Sequence, residues 1–276
     1  MGQGLEHPVS IRLCQAIFST SRPEYLVRTL HSQRLLDCTG FEVDRILFDD
    51  YPKGRDDKLI RGMAESYGYR EVYLHAENLS IGGTWKEFWA LIKGRGYDYI
   101  WQQEDDVEIL APVRLLDLAA VLNENPGASQ LVLKRQPWYV GEVPAAALPT
   151  DTVSHGFRLE YNKGEYYFTP IASLYPANQI HFNYHEFYRT RYPQDEIFQR
   201  SNLNEALIGK ALLEALGLRS LHVKSSAGHN LIQHIGEYTV GRKLLPHEPG
   251  FYAFSKVNPD VRCWSGTNVP YSQPRP

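Results

Sequence analysis

The stretch from Tyr97 to Leu110, YDYIWQQEDDVEIL, decides how this chain is read. Tyr97, Tyr99, Ile100 and Trp101 climb like a buried strand, and an apolar residue resumes at Val107. Between them stand three successive carboxylates, Glu104, Asp105 and Asp106. Two exposed unit charges about 5 Å apart repel by roughly 1 kcal/mol, and by more in a drier cleft. A strand that ends this way needs something positive beside it: a metal ion, an Arg or Lys, or a helix N-terminus. Side chains alternate along a strand, so Glu104 and Asp106 are expected on one face and Asp105 on the other. Oxygen-only clusters suit hard cations such as Mg²⁺, Mn²⁺ or Ca²⁺. The plain alternative is a solvated acidic turn.

Upstream of this stretch, strand and helix patterns alternate. Ile11 to Phe18 reads as a short buried strand, followed by the turn STSRP, Ser19 to Pro23. Pro23 suits the first turn of a helix, where a missing N–H costs nothing, and Tyr25, Leu26, Thr29 and Leu30 then recur at helical spacing. Val43 to Phe48 is the next strand, again ending in acid at Asp49 and Asp50. A helix through KLIRGMAESYG stops at Gly68, and EVYLHAEN gives a third strand. Gly82 and Gly83 read as a loop entering a helix that turns Trp85, Phe88, Trp89 and Ile92 inward. Such alternation predicts an α/β fold with a mostly parallel sheet. In the second half, Arg135 to Phe168 is rich in Pro, Gly and aromatics and reads as loops and short antiparallel strands. NLNEALIGKALLEALG is a further helix, capped at Ser201 or Asn202 and stopped at Gly217.

Ligands of an open parallel sheet sit outside the carboxyl ends of its strands. The STSRP turn, the Asp49–Asp50 pair and the Glu104–Asp106 triplet all fall on that edge. A hydroxyl-rich turn with one Arg, opposite a metal-type acidic cluster, is a place for a diphosphate whose charge a cation neutralises.

Composition narrows the classes. The 276 residues are 43% hydrophobic and 22% charged, which is ordinary for a globular chain. A net charge of −3 gives no global basic field of the kind nucleic-acid binders carry. The first ten residues lack the basic and apolar regions of a signal peptide, and no apolar run is long enough to span a membrane. Cys14, Cys38 and Cys263 are scattered and odd in number, without zinc spacing, which points to a reduced, cytoplasmic setting.

Three segments resemble those of GT-A fold nucleotide-sugar glycosyltransferases. FSTSRPEYLVRTLHS is similar to the first strand, nucleotide-cradling loop and helix of that fold. EDDVEILAP resembles its DxD-type acidic motif in the EDD form of inverting N-acetylglucosaminyltransferases. IQHIGEYTVGRK, Ile232 to Lys243, resembles the His-x-Gly segment near the end of many such domains. The resemblance covers about residues 10 to 243. It implies one domain with a Rossmann-like parallel sheet, flanking helices and a smaller antiparallel acceptor-side region. Residues 1–110 would form its nucleotide-sugar half, 111–245 its acceptor-binding and catalytic half, and 246–276 an irregular tail. The implied activity is transfer of a hexosyl or N-acetylhexosaminyl group from a nucleotide diphosphate sugar, UDP-linked by preference, to a hydroxyl, with inversion.

By the same resemblance Asp106 and His234 would ligate Mn²⁺ or Mg²⁺, with His229 a rival to His234. Glu104 and Asp105 would orient the ribose and the metal-bound waters. Ser19, Thr20, Ser21, Arg22, Asp50, Asn78 and Lys243 would complete the donor site. The general base would be Glu205, at the start of the helix NLNEALIG. Ala206 stands where a second acid is expected, so Asp195 and Glu196 are substitutes. Trp138 and Tyr139 could form an acceptor platform, whereas His181 and His185 read as structural. The acceptor would be a glycan, a small molecule, a protein or a hydroxymethylated base in DNA. The rivals are a DNA glycosyltransferase, a non-catalytic sugar or nucleotide-sugar binder, and a nucleotidyltransferase. The last is disfavoured because STSRPEY lacks the glycines of its usual loop.

Overall fold

A computed structural model describes residues 10–50, 53–133, 152–161, 172–178, 216–235, 238–239 and 242–243. The pattern of strand and helix expected for the first half is found. Strand β1 (Ile11–Ser19) is buried on both faces from Leu13 onward, so it sits inside the sheet. Helix α1 (Pro23–Ser32) starts on its proline and buries Tyr25, Leu26, Thr29 and Leu30. A two-residue strand, β2 (Leu36–Asp37), pairs parallel with Val113–Arg114 outside the main sheet and precedes β3 (Phe41–Asp49). Helix α2 (Asp57–Ser66) is capped by Asp56, whose carboxylate accepts the Leu59 N–H at 3.0 Å. It ends before Gly68, whose φ of +83° favours glycine. Strand β4 (Glu71–Leu74) leads to helix α3 (Ser80–Ile92), then β5 (Tyr99–Glu104), β6 (Val107–Ile109), β7 (Val113–Arg114), helix α4 (Leu115–Glu124) and β8 (Ala128–Leu133).

The later described strands are β9 (Val153–Ser154), β10 (Phe157–Tyr161), β11 (Ala172–Pro176), β12 (Arg219–Ser225), β13 (Ile232–His234) and the hairpin β14 (Tyr238–Thr239) with β15 (Arg242–Lys243). Nine of the described strands form one sheet in the order β4-β3-β1-β5-β11-β8-β12-β10-β9. The first four are parallel, as the βαβ alternation requires. β11 runs antiparallel between β5 and β8, β12 returns parallel to β8, and β10 with β9 closes the far edge antiparallel. Leu13, Trp101, Val107, Leu118, Leu131, Leu174 and Leu221 belong to one apolar core, so both halves of the chain share it. The other face of β1 and β3 packs on Trp85, Phe88, Trp89 and Ile92 of α3, the stripe the helical spacing predicts. Among the described residues no helix is long and apolar enough to cross a membrane.

The Gly82–Gly83 pair lies inside the first turn of α3 and not in a loop before it. A Cβ added at Gly83 would stand 2.8 Å from Cβ of Leu79, so the residue is small because the start of the helix is crowded. Alanine there gains about 1 kcal/mol of helix propensity but forces an overpacking cost of about 1–3 kcal/mol. Gly83→Ala should therefore lower the melting temperature. An unchanged or raised value would show that Leu79 gives way freely.

Candidate functional site

Four strands end in register on one edge. Ser19 of β1 pairs with Asp49 of β3, Asp49 with Leu74 of β4, and Phe18 with Glu104 of β5. Parallel pairing of consecutive βαβ units therefore gathers the serine turn, the Asp49–Asp50 pair, His75 and the acidic triplet on the ligand-binding side of the sheet.

The triplet departs from strict alternation. β5 stops at Glu104, and Asp105 and Asp106 form the turn into β6. Freed from the pleat, both aspartates converge on the Arg22 guanidinium and are 1% and 4% exposed. Arg22 Nη2 pairs with Asp105 Oδ1, Nε donates to Asp105 Oδ2 at 3.3 Å, and Nη1 lies 2.8 Å from Asp106 Oδ2. The positive charge the three acids require is thus an arginine from the STSRP turn, 83 residues from Asp105 in sequence. Burial pushes the Asp105 carboxyl up to about 6, against the pull of Arg22, and the neighbouring Asp106 charge adds to the rise. Burial works against the Arg22 charge as well, but the Asp105 and Asp106 carboxylates outweigh it and hold the guanidinium protonated.

The turn itself is held by acids. Ser19 Oγ lies 2.8 Å from Asp49 Oδ2 and 3.0 Å from Asp105 Oδ2. The Thr20 N–H donates to Asp105 Oδ2 at 3.0 Å. Ser21 donates its N–H to Asp49 Oδ2 at 2.8 Å and its hydroxyl to Asp49 Oδ1 at 2.7 Å. Ser21 has φ +57°, a left-handed conformation uncommon outside glycine. Successive N–H groups around such a residue make a concavity for negative charge, and here two carboxylates of the chain itself sit in it. From below, Thr29 Oγ1 of α1 donates to the Asp105 carbonyl oxygen at 2.6 Å.

Asp50 stands one residue past β3 and is nearly buried. Its Oδ1 accepts the Leu79 N–H at 2.7 Å and contacts His75 Nδ1 at 2.9 Å. Asn78 is exposed beside them. Arg55, its side chain 4% exposed, ties the edge together: it donates to Asp49 Oδ1 at 3.2 Å and to the His75 carbonyl at 3.0 Å, and pairs with Asp57 at 2.7 Å.

On the other side, β6 pairs antiparallel with β13, matching Val107 with His234. The Ile235 N–H donates to the Asp106 carbonyl oxygen at 2.8 Å. The backbone of His234 is therefore adjacent to the acidic turn, whereas exposed His229 precedes β13. Lys243 lies on β15, paired with Tyr238 a few residues past His234. Trp138, Tyr139, Asp195, Glu196 and Glu205, together with His181, His185 and the expected helix from Asn202, lie outside the described residues.

The donor set fits a hard divalent cation. Asp105 and Asp106 present adjacent buried carboxylates whose charge Arg22 balances here, a charge of the kind a hard cation takes. Among the described residues no group of three or more His, Cys, Asp and Glu side chains is placed to hold an ion by protein ligands alone. Such a site takes one or two carboxylates and leaves the remaining positions to water and phosphate, as Mg²⁺ sites on nucleotides do. Three contributors escaped the sequence reading: Asp49 as the anchor of the serine turn, Arg55, and His75. The strand-end rule that selected Asp50 applies equally to His75, which follows β4 directly.

No family model matches the chain, and no curated protein matches it in sequence. Solved structures do match. GalNAc-T7, solved with UDP, GalNAc and Mn²⁺, is similar at a TM-score of 0.54 and 11% identity, over 90% of this chain and 48% of that one. S. aureus TarS 1-349 is similar at a TM-score of 0.51 and 14% identity, over 80% of this chain and 59% of that one. The chain thus spans about half the length of these neighbours. At such identities the likeness shows the fold alone, and the chain has the GT-A fold.

Proposed function

We propose that the protein is a metal-dependent glycosyltransferase that moves a sugar from a nucleotide diphosphate sugar, UDP-linked by preference, to an acceptor hydroxyl with inversion. The observation that carries this reading is the gathering of the serine turn, Asp50 and the Asp105–Asp106 turn on one sheet edge, with His234 brought beside them by β13. The fold neighbour solved with UDP, GalNAc and Mn²⁺ supports it.

In this reading residues 1–110 hold the donor and 111–245 supply the acceptor side and the base. Asp106 and His234 would hold Mn²⁺ or Mg²⁺, which when bound supplies charge stabilisation for a leaving diphosphate. Asp105 and Glu104 would orient the ribose and the metal's waters. Ser19, Thr20, Ser21, Arg22, Asn78 and Lys243 would bind the rest of the donor, and Asp50 its base or ribose. Arg22, released from the aspartates, would bring a guanidinium to phosphate oxygens, for which its planar fork is suited. Glu205, with Asp195 and Glu196 as substitutes, would take the proton of the acceptor hydroxyl, and Trp138 and Tyr139 would face the acceptor. The acceptor class is a glycan, a small molecule, a protein or a modified base in DNA, and the setting is cytoplasmic.

The first test is release of nucleoside diphosphate from a panel of UDP- and GDP-sugars with Mn²⁺ present. Slow hydrolysis supports a transferase. Binding without turnover supports a nucleotide-sugar binder, and neither binding nor release overturns both. The second test addresses the base. Glu205→Gln removes basicity at nearly constant volume and should cut turnover about a hundredfold, with UDP affinity unchanged. Near-normal turnover would hand the role to Asp195 or Glu196.

A further inference from the structure

His75 is a buried imidazole on the strand-end edge, in contact with Asp50. It follows β4, is 9% exposed, and stands between two carboxylates from different elements. Nδ1 is 2.9 Å from Oδ1 of Asp50, just past β3. Nε2 is 2.9 Å from Oε2 of Glu87 on α3, close enough for an ion pair but not aligned as a hydrogen bond. The ring packs on Phe48, with centroids 5.7 Å apart. Arg55 faces the residue and binds the His75 carbonyl at 3.0 Å, not the ring. Asp50 Oδ1 also takes the Leu79 N–H at the start of α3. Oδ1 is thus held from two sides, while among the described residues Oδ2 accepts no hydrogen bond.

We infer that His75 is a positioning residue: as an imidazolium it holds Asp50, and with it the start of α3, in the place that receives the base or ribose of a nucleotide. Nucleotide affinity then falls as His75 loses its proton. The inference rests on the donor-binding role proposed for Asp50. A base N–H and a ribose hydroxyl are both donors, and a carboxylate oxygen held on its far side accepts either. The neutral ring has one N–H for two carboxylates: with the proton on Nε2 a lone pair faces Asp50, with the proton on Nδ1 a lone pair faces Glu87, so either tautomer turns one attraction into repulsion and loosens the hold on Asp50. Burial lowers the affinity of His75 for its proton, but the Asp50 hydrogen bond and the Glu87 and Asp50 charges raise it above the usual histidine value. The sign follows: a histidine whose folded-state value is raised contributes stability in full below about pH 6.5 and loses it as pH rises through the folded-state value.

The test compares UDP affinity, by calorimetry with Mn²⁺, from about pH 5.5 to about pH 8.5, in the parent and in His75→Asn, His75→Ala and Glu87→Gln. Ionisation of UDP itself is common to all four. Asn keeps a neutral donor near Nδ1 and cannot titrate, so it should bind between the parent and His75→Ala at the acid end and show a flatter fall with pH. Ala should bind ~10-fold more weakly at the acid end, the scale of one charge-assisted hydrogen bond. Glu87→Gln should move the fall to lower pH, with the His75 ring proton signal in NMR titrating lower by the same amount. A parent and a His75→Asn protein with superimposable pH profiles would overturn the inference while leaving the donor site intact. Loss of melting temperature with unchanged profile shapes would also overturn it, leaving His75 as packing. Failure of the parent to bind UDP at any pH would overturn the proposed function, and the inference with it.

Discussion

Asp106→Asn is expected to abolish Mn²⁺-dependent binding of UDP while the protein stays folded. Asn keeps the shape of the side chain but removes the charge for which a hard cation selects. The surroundings make the loss large. Asp106 is nearly buried in the turn, so no solvated acid can swing in to replace it. Asp105 already spends its oxygens on Ser19, Thr20 and Arg22. Stability should change little, because Arg22 keeps its forked contact with Asp105 and a like-charge repulsion between adjacent acids disappears. Calorimetric titration of Mn²⁺ and UDP beside a melting curve checks both halves. A mutant that binds the pair as the parent does would remove Asp106 from the metal site.

Arg22→Met should cost about 3–5 kcal/mol of stability, the scale of removing one partner from a buried ion pair. For a chain of this size that is a fall in melting temperature of roughly 10 °C. Methionine retains much of the apolar stem but leaves Asp105 and Asp106 facing each other without a cation. It also gives up the guanidinium placed over the Tyr25 ring, 5.6 Å from its centroid. Arg22→Lys should fall between, since one ammonium cannot reproduce the three contacts of the fork. If Asp106 belongs to the cation site, saturating Mn²⁺ should recover part of the loss in Arg22→Met and raise its melting temperature more than the parent's. A methionine variant as stable as the parent would show that the aspartates find another partner or a proton.

The choices legible along the chain are local ones. Pro23 sets the start of α1 because its ring already has helical φ. The spacing of Trp85, Phe88, Trp89 and Ile92 sets the buried stripe of α3. Alternation of buried strands with such helices leaves a parallel sheet as the solution, and a parallel sheet puts Ser19, Asp49 and Glu104 on one edge. Each of these signals acts within a few residues, so it can be read in one dimension. The tertiary structure alone decided which charges meet. Whether Glu104, Asp105 and Asp106 alternate as a strand or converge as a turn depends on where β5 stops, and the turn wins because Thr29 and Arg22 grip Asp105 from α1 and from the loop before it. That Arg22 would neutralise the acids and not stand free for a phosphate depends on the left-handed Ser21, which no propensity demands of serine. That His234 lies beside Asp106 depends on β13 closing on β6 across more than a hundred residues. Such pairings are selected by burial and electrostatics in the assembled sheet, where two charges too costly to bury singly become tolerable together.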